Sequence, residues 1–393
     1  MLQFSQVGEQ LAWDRIIGLQ REKKILQRAF LENRYAGAYC FWGMEGLGKD
    51  GLAIEFARLA NCKKPLISET TADSCGECSS CLQFNKLSSS NLTVIFSLPT
   101  GKGSDSKDSS TLAKMTDEQM EEIREQLAMK AENYYHRISL PGANQIKINS
   151  IRDIKKNLSL SSSDGRRFVL ITRAEEMTFE AANAFLKTLE EPNENITIIL
   201  TTSKQNVLLQ TILSRCQQIH CQQASDEDIA SALHTRHNIK TEDAKIIAAF
   251  SQGSYQKAME FSNEEIRQKR NDVIDLLRTS LKKRNFRAEL LGKIEIIVKE
   301  KDKKKSETML EFMLTWLRDA YIISNLETME RLINIDQEEV LNKFAKNFQN
   351  SDYIGAIGEV EKAATMLRRN VNLQLVMLAL FLNIRRIFLG QAV

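Results

Sequence analysis

Ala38-Tyr39-Cys40-Phe41-Trp42-Gly43-Met44-Glu45-Gly46-Leu47-Gly48-Lys49-Asp50 decides which fold this chain can have. An uncharged, largely apolar run has the character of a buried strand, and the glycine-rich segment after it opens a helix. In that setting successive backbone N–H groups and the Lys49 side chain can cradle phosphate, with Gly43 and Gly48 bounding the loop. Position 50 breaks the pattern. The chemistry asks there for a Ser or Thr hydroxyl on magnesium, and Asp50 instead brings negative charge towards a polyanion. Two roles stay open for the loop: residual binding of nucleotide or another anion, for which Lys49 is the residue to test, or a turn that never meets ATP or Mg2+.

A later strand carries the other half of that chemistry. Nucleoside triphosphatases end it with an Asp that holds magnesium through water and, commonly, a Glu that polarises the attacking water. Here Phe168-Val169-Leu170-Ile171 ends in Thr172-Arg173, and neither is a carboxylate. Glu175 and Glu176 are the nearby substitutes, but residues a turn beyond the strand's end are expected to point elsewhere. With both metal-holding positions changed, hydrolysis at this chain's own site is not expected.

Outward from these two strands, Leu92 to Phe96 and Ile196 to Leu200 also read as strands. Short apolar runs alternate with helical segments from Trp13 to about Cys221, the pattern of a parallel α/β sheet. The helix from Thr178 carries Ala182, Phe185, Leu186 and Leu189 at helical spacing and ends at Glu190-Glu191, before Pro192. One segment, about 101–137, interrupts the pattern. Gly101 to Ser110 has the composition of a flexible linker. After it, Thr116 and Gln119 stand as a capping box, and Met120, Ile123, Leu127 and Ala131 form one stripe of an inserted helix with a charged outer face.

Four of the seven cysteines lie in a short span: Cys62, then Cys75-x-x-Cys78-x-x-Cys81. Clustering of this kind in a reducing compartment favours metal over disulfides. Four thiolates at one tetrahedral ion leave no position for water, so the expected site is a structural Zn2+ in a module of about residues 62–81. Free thiols on a loop and a thiol–disulfide redox role are the competing readings; no thioredoxin-like pattern adjoins the cluster. Cys40, Cys216 and Cys221 read as core or strand residues.

After Gln223 the strand signals cease. Ser225 opens a helix with Asp228 three residues on, and a small all-helical domain runs over 224–262. Residues 263–393 repeat Leu, Ile and Met at helical spacing with no proline, as a helical bundle does. The Lys299 to Lys305 stretch reads as a solvated inter-helix loop. With 393 residues and an apolar share of 42% the chain can fill several cores. Lys and Arg number 54 against 51 acids, a formal charge of +3, so any contact with DNA must be local rather than a general coating. The N-terminus lacks a signal-peptide pattern, and no apolar run approaches the roughly 20 residues that cross a bilayer, so no membrane association and a cytoplasmic location are expected.

Taken together the motifs resemble the bacterial clamp-loader subunits of the AAA+ class. The resemblance rests on Ile16-Ile17-Gly18, the phosphate loop, the cysteine module, the run from Ala181-Ala182-Asn183-Ala184-Phe185 to Glu190-Glu191-Pro192, and Thr211-Ile212-Leu213-Ser214-Arg215-Cys216. It implies an AAA+ α/β P-loop domain with a zinc module (1–223), an all-α lid (224–262) and an all-α collar (263–393). Trp316-Leu317-Arg318-Asp319 and Arg369-Asn370-Val371-Asn372 look like collar helices through which such subunits form a pentamer. The segment 101–137 goes beyond the family pattern.

The resemblance also implies partners and a role. In the family, the arginine of Ser-Arg-Cys reaches a neighbour's ATP site and stabilises charge on the γ-phosphate. Arg215 is the matching residue; the alternative is a salt bridge or cap within its own chain. Motor subunits (gamma or tau) hydrolyse ATP and another member does not. Thr172-Arg173, and Gly253-Ser254-Tyr255-Gln256 where motors carry a sensing arginine, fit the non-hydrolysing member. An ATP-hydrolysing motor is the alternative. Implied partners are the motor and delta subunits, the sliding clamp indirectly, and primer-template DNA through the assembly.

Overall fold

The computed structural model describes residues 12–99, 115–160, 165–190, 195–262, 266–300, 302–326, 332–369 and 371–390. The Gly101 to Ser110 linker and Glu191-Pro192 lie outside them. Contacts divide the chain into two compact units: residues 1–238 with 251–259, and 239–250 with 260–393.

The first unit is built on a parallel sheet. In chain order its elements are α1 (Gln20–Leu31), β1 (Ala38–Trp42), α2 (Lys49–Ala60), β2 (Leu66–Ile67), β3 (Ala72–Asp73), α3 (Ser79–Asn85), β4 (Leu92–Ile95), α4 (Asp117–Glu132), α5 (Ile148–Leu160), β5 (Arg167–Ile171), α6 (Phe179–Glu190), β6 (Ile196–Thr202), α7 (Gln210–Leu213), β7 (Gln217–His220) and α8 (Asp226–His237). The sheet order is β4-β5-β6-β1-β7, with every pairing parallel, and β2 and β3 form a separate antiparallel hairpin. The strands read from the sequence are all present, within a residue or two at their ends. The short strand β7 was missed because Gln217-Gln218-Ile219-His220 has one apolar residue, as an edge strand exposed on most positions allows.

Both faces of the sheet are covered, which is why its inner strands are apolar at successive positions. Side chains alternate between faces along each strand. Tyr39, Phe41, Phe168, Leu170 and Ile199 pack into one core with Leu26 of α1 and Leu52 and Phe56 of α2. Ala38, Cys40, Val169, Ile171, Ile198 and Leu200 pack into the other with Ile151 and Ile154 of α5, Ala181 and Phe185 of α6 and Ile212 of α7. Phe56 meets Phe168 edge-on at 5.6 Å. Each fully buried ring or branched aliphatic contributes about 1.5–3 kcal/mol.

The inserted helix α4 forms as its cap predicts: the Thr116 side chain accepts from the Gln119 amide while the Gln119 side chain accepts from the Thr116 amide. Its stripe closes a small third core, in which Ile123 meets Phe96 and Leu140, with Met120 and Leu127 beside them.

The second unit is helical throughout its described residues. It comprises most of α9 (Thr241–Ser251), the last three residues of α10 (Tyr255–Ser262), α11 (Ile266–Ser280), α12 (Phe286–Lys299), α13 (Lys303–Leu326), α14 (Glu338–Asn347), α15 (Tyr353–Arg368) and α16 (Leu373–Leu389), with the rest of α10 in the first unit. The lysine-rich loop is shorter than expected, since α13 begins at Lys303 and carries exposed lysines in its first turn. Helix α13 packs against α11, α14 and α15. Trp316, Leu317 and Asp319 lie inside this bundle, where Asp319 accepts from the Ile333 and Asn334 amides at 3.0 and 2.8 Å. Asn372 caps α16 by accepting from the Leu375 amide at 3.2 Å. No helix among the described residues is long and apolar enough to cross a membrane.

Candidate functional site

The carboxyl ends of β1, β5 and β6 converge, the usual place for a site in an open α/β sheet. From there rise the phosphate loop (43–48), Thr172-Arg173 and Ser203. Each bears on one small cavity, lined also by Glu175, Glu176 and, from the insert, Lys130, Tyr134, Tyr135 and Arg137.

Gly48 is the turn point of the loop. Its φ of +88° lies in the left-handed region, and a Cβ there would sit 3.0 Å from the Tyr135 ring. Gly48→Ala is therefore expected to destabilise the protein by about 1–3 kcal/mol, from backbone strain and the clash. A urea unfolding curve with an unchanged midpoint would contradict that assignment.

Lys49 points inward. Its ammonium donates to the carbonyl oxygens of Gly43 at 2.8 Å and Met44 at 2.5 Å, and burial pulls its pKa down. Asp50 is enclosed on both oxygens: Oδ2 accepts from Lys130 Nζ at 2.7 Å and Oδ1 from the Thr201 hydroxyl at 2.6 Å. Burial works against its ionised form, but the Lys130 charge and these hydrogen bonds outweigh it and hold the carboxyl below its usual range. Asp50 thus sits in a local ion pair, not facing open loop space.

At the end of β5 the backbone turns through Arg173, whose φ is +50°. The guanidinium reaches back over the site, contacting Glu176 at 2.5 Å and Glu45 at 2.8 Å. The Thr172 hydroxyl donates to the Ile95 carbonyl at 3.2 Å. Glu175 and Glu176 were expected to point away; both line the cavity instead, because the left-handed turn at Arg173 folds the following residues under the strand ends. Each has a partner. Glu175 accepts from the Ser203 hydroxyl at 2.8 Å, and Glu176 from the Ser97 hydroxyl at 2.5 Å. Burial pushes Glu175 up, and hydrogen bonds from Thr202 and Ser203 more than offset it, leaving it ionised. Among the described residues the four clustered cysteines are the one group that brings three or more metal-ligating atoms together, so these carboxylates do not form a second.

The sequence marks Lys130 only as part of an inserted helix. Its pairing with Asp50 spans 80 positions and leaves no local pattern in the sequence. Gln256, last of the Gly253-Ser254-Tyr255-Gln256 segment, lines the cavity, and its backbone amide donates to the Gly46 carbonyl at 3.3 Å.

Below the loop a second charged network fastens the same insert. Glu55 of α2 is fully buried, 3.0 Å from Arg58 and 3.8 Å from Arg15. Burial pushes its pKa up to about 7 in spite of both arginines. Arg15 in turn donates to the Tyr134 hydroxyl at 2.9 Å and the Ala131 carbonyl at 3.1 Å, and lies over the Tyr134 ring.

Arg215 follows α7 on the first unit's surface. It donates to the Thr211 carbonyl and to Glu190, each at 2.9 Å, so in the single chain the side chain rests on its own surface. Both members of the ion pair are exposed, and such pairs contribute about 0–1 kcal/mol. Little holds the guanidinium there.

The four cysteine sulfurs Cys62, Cys75, Cys78 and Cys81 lie within 4.8 Å of one another. Nearest approaches are 3.5 Å for Cys62 to Cys75 and 3.9 Å for Cys75 to Cys81, too long for disulfides. Backbone amides point at three of them: Cys75 N–H at Cys62, Cys78 N–H at Cys75 and Cys81 N–H at Cys78. Burial opposes ionisation of Cys78, but the Cys81 and Lys63 amides outweigh it and hold the thiol at about 6. Burial pushes Cys81 up. The arrangement is consistent with a structural metal site. Trp13 Nε1 and Gln27 Nε2 donate to the Ala72 carbonyl at 2.9 and 3.0 Å, and Arg58 donates to Ser74 at 2.7 Å, tying the module to the sheet domain.

Comparison with known proteins follows the same two units. The family described as DNA polymerase III, delta subunit, matches residues 18–225, more than half of the chain, and its C-terminal counterpart matches 264–386. The delta-prime subunit of Bacillus subtilis is 24% identical over 93% of this chain and 95% of its own length. That of Pseudomonas aeruginosa is 28% identical over 63% of this chain and 62% of its own. The tau/gamma subunit of Haemophilus influenzae is 26% identical over 66% of this chain, which spans only 32% of that relative. The chain belongs to the DNA polymerase III delta-subunit family and is a clamp-loader subunit of the delta/delta-prime type.

Proposed function

We propose that this delta-prime-like chain is the non-hydrolysing subunit of a bacterial replicative clamp loader. It assembles with gamma or tau motor subunits and a delta subunit and supplies Arg215 to a motor's ATP site. In that assembly it helps place the sliding clamp on primed DNA. The observation that carries the reading is at the end of β5: a threonine on a backbone carbonyl and an arginine neutralised by Glu45 and Glu176 stand where magnesium and water would need carboxylates. A lid over 224–262 and a collar over 263–393 complete this reading, and its setting is the cytoplasmic replisome.

The four cysteines are proposed to hold Zn2+. A zinc–sulfur distance of about 2.3 Å gives a tetrahedral edge of about 3.8 Å, against the 3.5 and 3.9 Å approaches between sulfurs. The ion would supply folding stability and no reaction chemistry.

The motor reading draws on one specific observation, that Asp50, Glu175 and Glu176 line one cavity. ATP hydrolysis by the purified chain, alone and then with motor and delta subunits, clamp and primed DNA, separates the two. No turnover alone, and Arg215-dependent turnover in the mixture, is the expected result. Turnover by the chain alone that Lys49→Ala abolishes would establish the motor. Failure to assemble would point to an AAA+ scaffold outside replication.

A further inference from the structure

We infer that the insert is a built-in occupant of the phosphate loop: Lys130 and Tyr135 lock the loop from within, making it the socket that anchors the insert and closing it to nucleotide. The reading goes beyond the absence of hydrolysis, because a chain that cannot hydrolyse ATP can still bind it. It assigns a role to the segment that the family resemblance leaves over.

Four contacts carry it. First, Lys130 is 3% exposed and divides its donors between Asp50, at 2.7 Å, and the His136 carbonyl, at 2.8 Å. One ammonium thereby meets the Asp50 charge at the position where a hydroxyl and a cation would otherwise work. Second, Lys49 is folded onto the Gly43 and Met44 carbonyls, so it must leave two hydrogen bonds before it can meet a phosphate. Third, the Tyr135 ring packs on Gly48, 4.8 Å from the Tyr255 ring, while its hydroxyl accepts from the Ile17 amide at 2.7 Å. The ring is fixed at both ends. Fourth, Arg137 contacts Glu45 at 3.3 Å across the rim.

Volume decides against a ligand beside these groups. The remaining cavity is about 70 Å³, whereas pockets for ligands of nucleotide size run to roughly 300–1,000 Å³. A triphosphate would have to expel the insert and leave Lys130 and Asp50 without each other, and breaking a buried pair is costly.

The test uses the full chain and needs no partner subunit, so it stands or falls apart from the role of Arg215. Fluorescent mant-ATP, with and without Mg2+, is titrated while anisotropy is read, and amide hydrogen exchange is followed over residues 43–52. The wild type should show no saturable binding and slow exchange in the loop. Lys130→Ala combined with Tyr135→Ala should speed loop exchange by roughly ten-fold or more, with β6 unchanged. Should that variant fail to fold, Lys130→Met and Asp50→Asn remove the charges with little change of volume and should each speed loop exchange. Saturable mant-ATP binding by the wild type, displaced by unlabelled ATP, would overturn the inference. So would loop exchange that none of these variants alters.

Discussion

On the proposed role, replacing Arg215 by Ala should lower ATP turnover by about 10³-fold at the interface this chain would complete, with the assembly still formed. The size follows from the role. A guanidinium meeting charge on the γ-phosphate acts where charge grows in the transition state, so its loss appears in the rate far more than in nucleotide affinity. Arg215 can leave its resting place because its partner Glu190 is exposed and the ion pair is weak. Two further variants sharpen the result. Glu190→Ala should leave turnover intact, since it removes only the resting contact. Arg215→Lys keeps charge but loses the planar fork, and should recover little of the rate. Steady-state ATPase assays of the reconstituted loader with clamp and primed DNA check all three, and an unchanged rate for Arg215→Ala would end the assignment.

Cys78→Ser should have the second-largest effect. Zinc content, measured by mass spectrometry, should fall from about one ion per chain towards zero, and stability should drop by several kcal/mol, because binding energy at such a site is folding energy. Cys78 caps α3 and accepts from the Cys81 amide, so its loss would remove a proposed ligand and the cap of that helix together. The damage should be visible at a distance through Trp13, whose indole donates to Ala72 in the module's hairpin. A shift in tryptophan emission should accompany loss of the metal. Zinc content unchanged by Cys78→Ser would remove Cys78 from the ligand set.

Much of the fold was legible because its signals are local. Ala38 to Trp42 and Phe168 to Ile171 announce buried strands by composition alone, and the Thr116–Gln119 cap announces α4 within four residues. The cysteine cluster was legible for the same reason, since most of its spacing is short. What escaped is what the sequence separates. Lys130 and Asp50 meet only because the fold brings the insert back against the phosphate loop, and nothing near either residue signals the other. Glu175 and Glu176 were placed wrongly because the expectation assumed ordinary backbone after β5, whereas Arg173 adopts a left-handed conformation that residues with a Cβ seldom take.

The Glu55 network sets a limit on how this protein can be rebuilt. That carboxylate belongs to the phosphate-loop helix, yet Arg15, one of its two arginines, also holds Tyr134 and Ala131 at the end of the insert, and the other, Arg58, holds Ser74 within the cysteine module. A chimera that grafted residues 101–137 onto a relative, or trimmed them away, would part a buried carboxylate and arginine from the aromatic and carbonyl groups that share their enclosure. Insert, helix and module are one unit of exchange, transplantable together or not at all.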